Sequence, residues 1–176
     1  MPEIARKPGR TRIRGRRCAP ALALALAATA TPAPGNAADR VTVLAEMAER
    51  ARAACEAKGF PVTVSIVGTD GQPVVVLRSD GAPIHTVLNS FDKAYTIMTL
   101  GPLKHIESGA ALATAYEHRP AVSYDIPQDH LPHIVFSAGA VLLKMDGRLV
   151  GGLGVSGSDG GDIDEGCARV GIGDAH

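Results

Sequence analysis

The chain has 176 residues and balances 18 Lys+Arg against 18 Asp+Glu, which is enough length for one domain and short for two. The zero balance excludes a strongly basic nucleic-acid binder, and a 3% aromatic content without tryptophan disfavours aromatic cages and base-stacking platforms. At 45% hydrophobic residues, the chain beyond its N-terminus can build a packed core and is not of a disordered type.

The charge is unevenly placed. Seven basic residues (Arg6, Lys7, Arg10, Arg12, Arg14, Arg16 and Arg17) stand against Glu3 ahead of the apolar run Ala19 to Ala28. Pro32, Pro34 and the small residues Gly35-Asn36-Ala37-Ala38 follow. A charged head, a short apolar run and a small-residue exit form, in that order, a signal peptide, and the run is too short to span a bilayer. We therefore expect residues 1–38 to be removed on export, leaving a periplasmic or secreted domain of residues 39–176. Arg16-Arg17 fits a twin-arginine signal poorly, and Cys18 lies ahead of the apolar run, where it is not placed for lipidation. The remainder carries 11 basic and 17 acidic residues, a net of −6, and would repel nucleic-acid phosphates. It also keeps Cys55 and Cys167, which form either one disulfide or two buried thiols.

Along that domain, Val41 to Lys58 reads as an amphipathic helix with Val41, Leu44, Met47, Ala51 and Cys55 on one side, stopped by Gly59. Val62 to Val67 alternates as a strand, Asp70-Gly71 turns, and Pro73 to Arg78 returns as a hairpin partner. Ile84 to Leu100 is a second helix, with Val87, Leu88, Phe91, Ala94, Tyr95 and Met98 on one face, and Gly101-Pro102 should break it. Leu103 to Glu117 is helical in part, and the proline-rich stretch from His118 to Pro132 is an irregular loop. Three strand candidates follow: His133 to Phe136, Ala140 to Met145 and Arg148 to Ser156, the last two joined at Asp146-Gly147. Asp162 to Ile172 closes the chain as a short helix with acids in its first turn. Two hairpins imply antiparallel pairing, so the fold class is α+β, one sheet covered by helices.

Two strings in this order resemble a known family. One runs Val67-Gly68-Thr69-Asp70-Gly71-Gln72-Pro73-Val74, then Arg78-Ser79-Asp80-Gly81-Ala82 and Lys93-Ala94-Tyr95-Thr96. The other runs from Gly147 to Gly157 through Gly151-Gly152-Leu153-Gly154 and on to Gly161-Asp162-Ile163-Asp164-Glu165-Gly166-Cys167-Ala168. Together they resemble the GlcG/HbpS-like (DUF336) haem-binding protein family over nearly all of residues 39–176. The resemblance implies a profilin-like fold, a five-stranded antiparallel sheet with helices packed on its faces. It also implies binding of haem or another tetrapyrrole, assembly as a homo-oligomer, dealings with iron and, in some members, a membrane sensor kinase as partner. The chain departs from the family where Ser137-Ala138-Gly139-Ala140-Val141 replaces the usual Gly-Gly-x-Pro-Ile, and in its His- and Pro-rich segment from His118 to His133.

Haem requires an apolar slot, an axial ligand and basic partners for its propionates. The ligand candidates are His85, His105, His118, His130 and His133, with Tyr116 and Tyr124 as alternatives; Arg119 and Lys104 are candidates for the propionates. Lys93 lies in the family string, facing either a pocket or an interface, or else paired with Asp92 or Asp80. His130-x-x-His133 contains Pro132 and is not a zinc helix, and the glycine run before the last helix lacks the lysine of a phosphate loop. Glu46 and Glu49, one turn apart, are an oxygen pair that reads foremost as a solvated helix face. No nucleophile set has a recognisable context, so catalytic residues are not expected. The resulting expectation is an exported, non-catalytic haem-binding protein serving capture, buffering or sensing. The alternatives are a small catabolic-operon accessory protein or enzyme acting on a hydroxy acid or corrinoid, and an oligomer or kinase partner without a ligand of its own.

Overall fold

The structure, a computed structural model, describes residues 37–117 and 131–173. The expected leader and the candidates His118, Arg119, Tyr124 and His130 lie outside the described residues. The elements are α1 (Ala37–Glu56), β1 (Thr63–Gly68), β2 (Pro73–Arg78), α2 (Thr86–Lys104), α3 (Gly109–Glu117), β3 (Ala140–Met145), β4 (Arg148–Ser156) and α4 (Gly161–Ile172). The strands form an antiparallel sheet in the order β2-β1-β4-β3. Asp146 (φ 51°) and Gly147 (φ 72°) both take left-handed backbone, as the tight turn between β3 and β4 requires. Pairing of β1 with β4, from Thr63 opposite Ser156 to Gly68 opposite Gly151, joins the two hairpins.

The α+β class stands, but the sheet has four strands among the described residues, not five. The segment His133 to Phe136, expected as a strand, enters no ladder because its hydrogen bonds go elsewhere. The Val135 N–H donates to the Thr96 hydroxyl of α2 (2.8 Å), and that hydroxyl donates to the His133 carbonyl (3.1 Å). The outer edge of β3 is met instead by the chain leaving α2. There Leu142 N–H donates to the Glu107 carbonyl (2.9 Å) and Ser108 bridges Val141.

One face of the sheet is apolar. Val64, Ile66, Leu143, Leu153 and Val155 meet Leu44, Met47, Ala48 and Ala51 of α1 and Ala168 of α4. Each large side chain buried this way stabilises the fold by roughly 1.5–3 kcal/mol. In this layer Cys55 and Cys167 are joined as a disulfide with Cα atoms 5.6 Å apart, which decides between the two readings of these cysteines.

The opposite face is built differently. Thr63 and Ser65 of β1 pair with Thr86 and Ser90 of α2 through buried hydroxyl contacts of 2.7 and 2.8 Å. Gly152 and Gly154 of β4 let the helix backbone come close: a Cβ at Gly152 would lie 2.6 Å from the Ala94 carbonyl oxygen, and one at Gly154 would overlap the Ser90 carbonyl. Thr86, Ser90, Lys93, Ala94 and Ile97 face this seat, with the small Ser90 and Ala94 at the closest approach. The apolar face read from the sequence is therefore, except for Ala94, not the buried one. Leu88 is 65% exposed, Ile84 90%, and Phe91, Tyr95 and Met98 are half-buried. The helix also runs through Gly101-Pro102 to Lys104. Pro102 falls in its last turn, and left-handed His105 (φ 56°) closes the end by donating its N–H to the Gly101 carbonyl.

Candidate functional site

Two groups of polar side chains flank α2. The first is gathered by His133. Its backbone is left-handed (φ 67°), an uncommon state for a residue with a Cβ. The buried Thr96 hydroxyl holds the segment just after it, donating to the His133 carbonyl and accepting from the Val135 N–H, the peptide groups on either side of Ile134. This places the imidazole on the outer face of α2, where Nδ1 lies 2.7 Å from Asp92 Oδ1. An ionised carboxylate only accepts, so Nδ1 is the donor in this contact, and in the neutral form of the ring Nε2 carries the lone pair. The ring stands edge-on to Phe91 (centroids 5.1 Å) and Tyr95 (5.9 Å), and its side chain is 47% exposed. Leu88, one helical turn before Asp92, extends this aromatic patch with an open apolar side chain. The arrangement offers one oriented, accessible nitrogen donor beside an apolar bed.

The second group lines a cavity of about 370 Å³ between α2 and the loop from β4 to α4. It brings together His85 and Lys93, both named from the sequence, with Asn89, Ser156, Ser158 and Asp164. Lys93 is buried, and its ammonium donates to Asp164 Oδ2 (2.8 Å) and the Val155 carbonyl (3.1 Å). Its partner is thus Asp164 of α4, not Asp92 or Asp80. Asp164 Oδ1 accepts from the hydroxyl (2.7 Å) and N–H (3.1 Å) of Ser158, and Asn89 donates to the Ser156 hydroxyl (2.9 Å). Most of the lining is therefore spent on internal bonds. His85 stands exposed at the rim, beside Ile84. The cavity lies near the lower end of the roughly 300–1,000 Å³ usual for ligand pockets, and its polar lining suits a small polar molecule better than a flat macrocycle.

The other named residues lie apart from both groups. Tyr116 of α3 stacks on Phe136 (centroids 3.9 Å) in a satellite core around Ile97, Leu112 and Leu142. Lys104 and His105 sit at the far end of α2, at least 12 residues, or about 18 Å, along the helix from Asp92. Glu49 engages Arg52 through both carboxylate oxygens (2.8 and 2.6 Å), which holds its carboxyl below the usual glutamate range, chiefly through the hydrogen bond. The pair Glu46/Glu49 is thus partly committed within its own helix. Among the described residues no group of three or more His, Cys, Asp or Glu stands ready for a bare metal ion. Sequence reasoning missed Asp92, Phe91 and Tyr95 as the surroundings of His133. The only available signal was their spacing on one helix, since the segment that crosses them lies 37 residues or more along the chain from Thr96.

The chain was compared with known proteins. No curated protein matches it. Among solved structures it is similar to HbpS, at 30% identity over 74% of this chain and 85% of that one (TM-score 0.62). A double glutamate-to-aspartate mutant of Streptomyces reticuli HbpS is 28% identical over 88% and 96% of the two chains (TM-score 0.64). A PduOC:heme complex is 26% identical over 74% and 90% (TM-score 0.63). The family described as haem degrading protein HbpS-like matches residues 41–173, from within α1 to beyond α4, and the chain belongs to that HbpS-like family.

Proposed function

We propose that this protein binds haem on the outer face of α2, with His133 Nε2 as the axial ligand. The observation that carries the reading is the His133–Asp92 contact of 2.7 Å set among Phe91, Tyr95 and Leu88. A lone imidazole is a poor site for a bare ion, but porphyrin supplies four nitrogen donors of its own and needs an axial ligand and an apolar bed. The carboxylate behind the ring fixes its tautomer, as is usual for metal-bound histidine. A relative solved as a heme complex supports the ligand class. His85, which opens onto the other side of α2, is the competing ligand. His118, His130 and Arg119 lie outside the described residues and stay candidates on the sequence alone.

The role we propose is capture, buffering or sensing of haem outside the cytoplasm, without turnover. The leader sequence and the buried Cys55–Cys167 disulfide support export, since such bonds persist in oxidising compartments. The exposed apolar strip of α2 and the exposed Val74 and Val76 of β2 support a homo-oligomer, in which a second copy would shield the haem. A sensor kinase as partner rests on the family resemblance alone. The polar cavity beside His85 favours a second reading, a small hydroxy acid or corrinoid fragment as ligand.

The test is a haemin titration of the purified protein followed by Soret absorbance, for wild type, His133→Ala and His85→Ala. A saturable, shifted band that is lost only in His133→Ala is the expected result. Loss only in His85→Ala would move the site to the cavity, and no band beyond free haemin in the wild type would refute haem binding.

A further inference from the structure

Among the described residues, the carboxylate behind His133 meets no competing lysine or arginine from its own turn of helix. Lys93, the adjacent residue, is turned toward the sheet and held by Asp164 (2.8 Å) and the Val155 carbonyl. Asp92 Oδ1 is therefore left to the imidazole, with a side chain 29% exposed. A negative charge hydrogen-bonded to Nδ1 draws the ring proton and makes Nε2 a stronger donor. Such a donor gains more from an iron of higher charge, because the attraction grows with the charge on the metal.

We infer that Asp92 is a positioning residue that makes this site selective for oxidised haem: ferric haem is held more tightly than ferrous haem, so that reduction loosens the complex. The inference rests on the reading that haem binds at His133. No electron donor is assigned to the protein; the selectivity is a difference between two affinities. It suits a protein that takes up haem in an oxidising compartment and hands it on under reducing conditions.

The test is a spectroelectrochemical titration of the full-length, haemin-loaded protein with dithionite, for wild type, Asp92→Asn and Asp92→Glu, alongside binding titrations of ferric and ferrous haem. Loss of such a supporting partner typically lowers metal affinity about 10–100-fold. We expect Asp92→Asn to keep a Soret band and to lose about tenfold or more in ferric affinity, with a smaller loss for ferrous haem. Each tenfold change in that preference raises the one-electron midpoint by about 59 mV. Asp92→Glu, which keeps the charge, should return toward wild type. An unchanged midpoint in Asp92→Asn, or equal losses for both oxidation states, overturns the inference while leaving haem binding intact. Absence of any Soret band in the wild type refutes the haem reading and this inference with it.

Discussion

Lys93→Met is the most informative perturbation of the fold beneath the site. Lys93 and Asp164 link α2 to α4 across the end of β4, and each side chain is only 4% exposed. Methionine keeps most of the lysine stem and removes the ammonium. Asp164 Oδ1 would keep its two bonds from Ser158, but Oδ2 would lose its partner on a side chain that is almost wholly buried at the cavity wall. Breaking a buried pair from one side typically costs about 3–5 kcal/mol, because an uncompensated charge is left behind. For a domain of this size that corresponds to a fall of roughly 12–20 °C in Tm. In urea, with m near 2 kcal/mol/M, the midpoint should fall by about 1.5–2.5 M. The assay is reversible urea unfolding followed by far-UV circular dichroism. A companion Lys93→Met/Asp164→Leu variant should recover part of the loss, since it removes both charges and leaves neutral groups, the Ser158 donors and the Val155 carbonyl, without these partners. A loss below about 1 kcal/mol in Lys93→Met would refute the reasoning, because that is the size expected of a hydrated surface pair.

Replacing Cys55 and Cys167 together by alanine opens a link across 112 residues and should cost about 4–5 kcal/mol, readable as a urea midpoint that matches the reduced wild type. Gly154→Ala should destabilise by about 1–3 kcal/mol, because its Cβ would meet the Ser90 carbonyl and the Ala94 nitrogen (2.7 Å); an unchanged melting temperature would mean that α2 does not sit so close to β4. Arg52→Gln should cost only about 0.3–0.5 kcal/mol at neutral pH. Because Arg52 lowers the folded pKa of Glu49, this contribution is present above the unfolded carboxyl pKa of about 4.3 and fades as pH falls through the folded value. The wild-type and variant stability curves should therefore converge in acid, and a constant gap down to strongly acidic pH would contradict the assignment.

Much of the fold was legible because its signals are local. Asp70-Gly71 and Asp146-Gly147 name two turns, and the alternating Val62 to Val67 names the strand between helix and turn. The seating of α2 was not legible. Its apolar residues share a face, and periodicity reports that they belong together, not that the sheet beneath has room for them. Thr63, Ser65, Gly152 and Gly154 decided the matter by favouring hydroxyls and small side chains, which left Ile84, Leu88 and Phe91 outside. The strand expected at His133 to Phe136 failed for a related reason: the Thr96 hydroxyl bonds the His133 carbonyl and the Val135 N–H and holds the segment against the helix. The site was half legible. His133 and His85 could be named as donors, but Asp92, Phe91 and Tyr95 acquire meaning only when the chain returns across α2. Lys93 was recognised as a distinctive residue, and its partner Asp164, 71 positions away, could not be picked from several acids by sequence alone.

If haem iron is held at Nε2 of His133, a crystal structure of the haemin-loaded protein will show it. Electron density should join the iron to that nitrogen, with the Nδ1–Asp92 hydrogen bond retained behind it and the macrocycle lying along Phe91 and Leu88. Iron bonded to any other residue, or haem seated in the cavity beside His85 with His133 untouched, would contradict this placement.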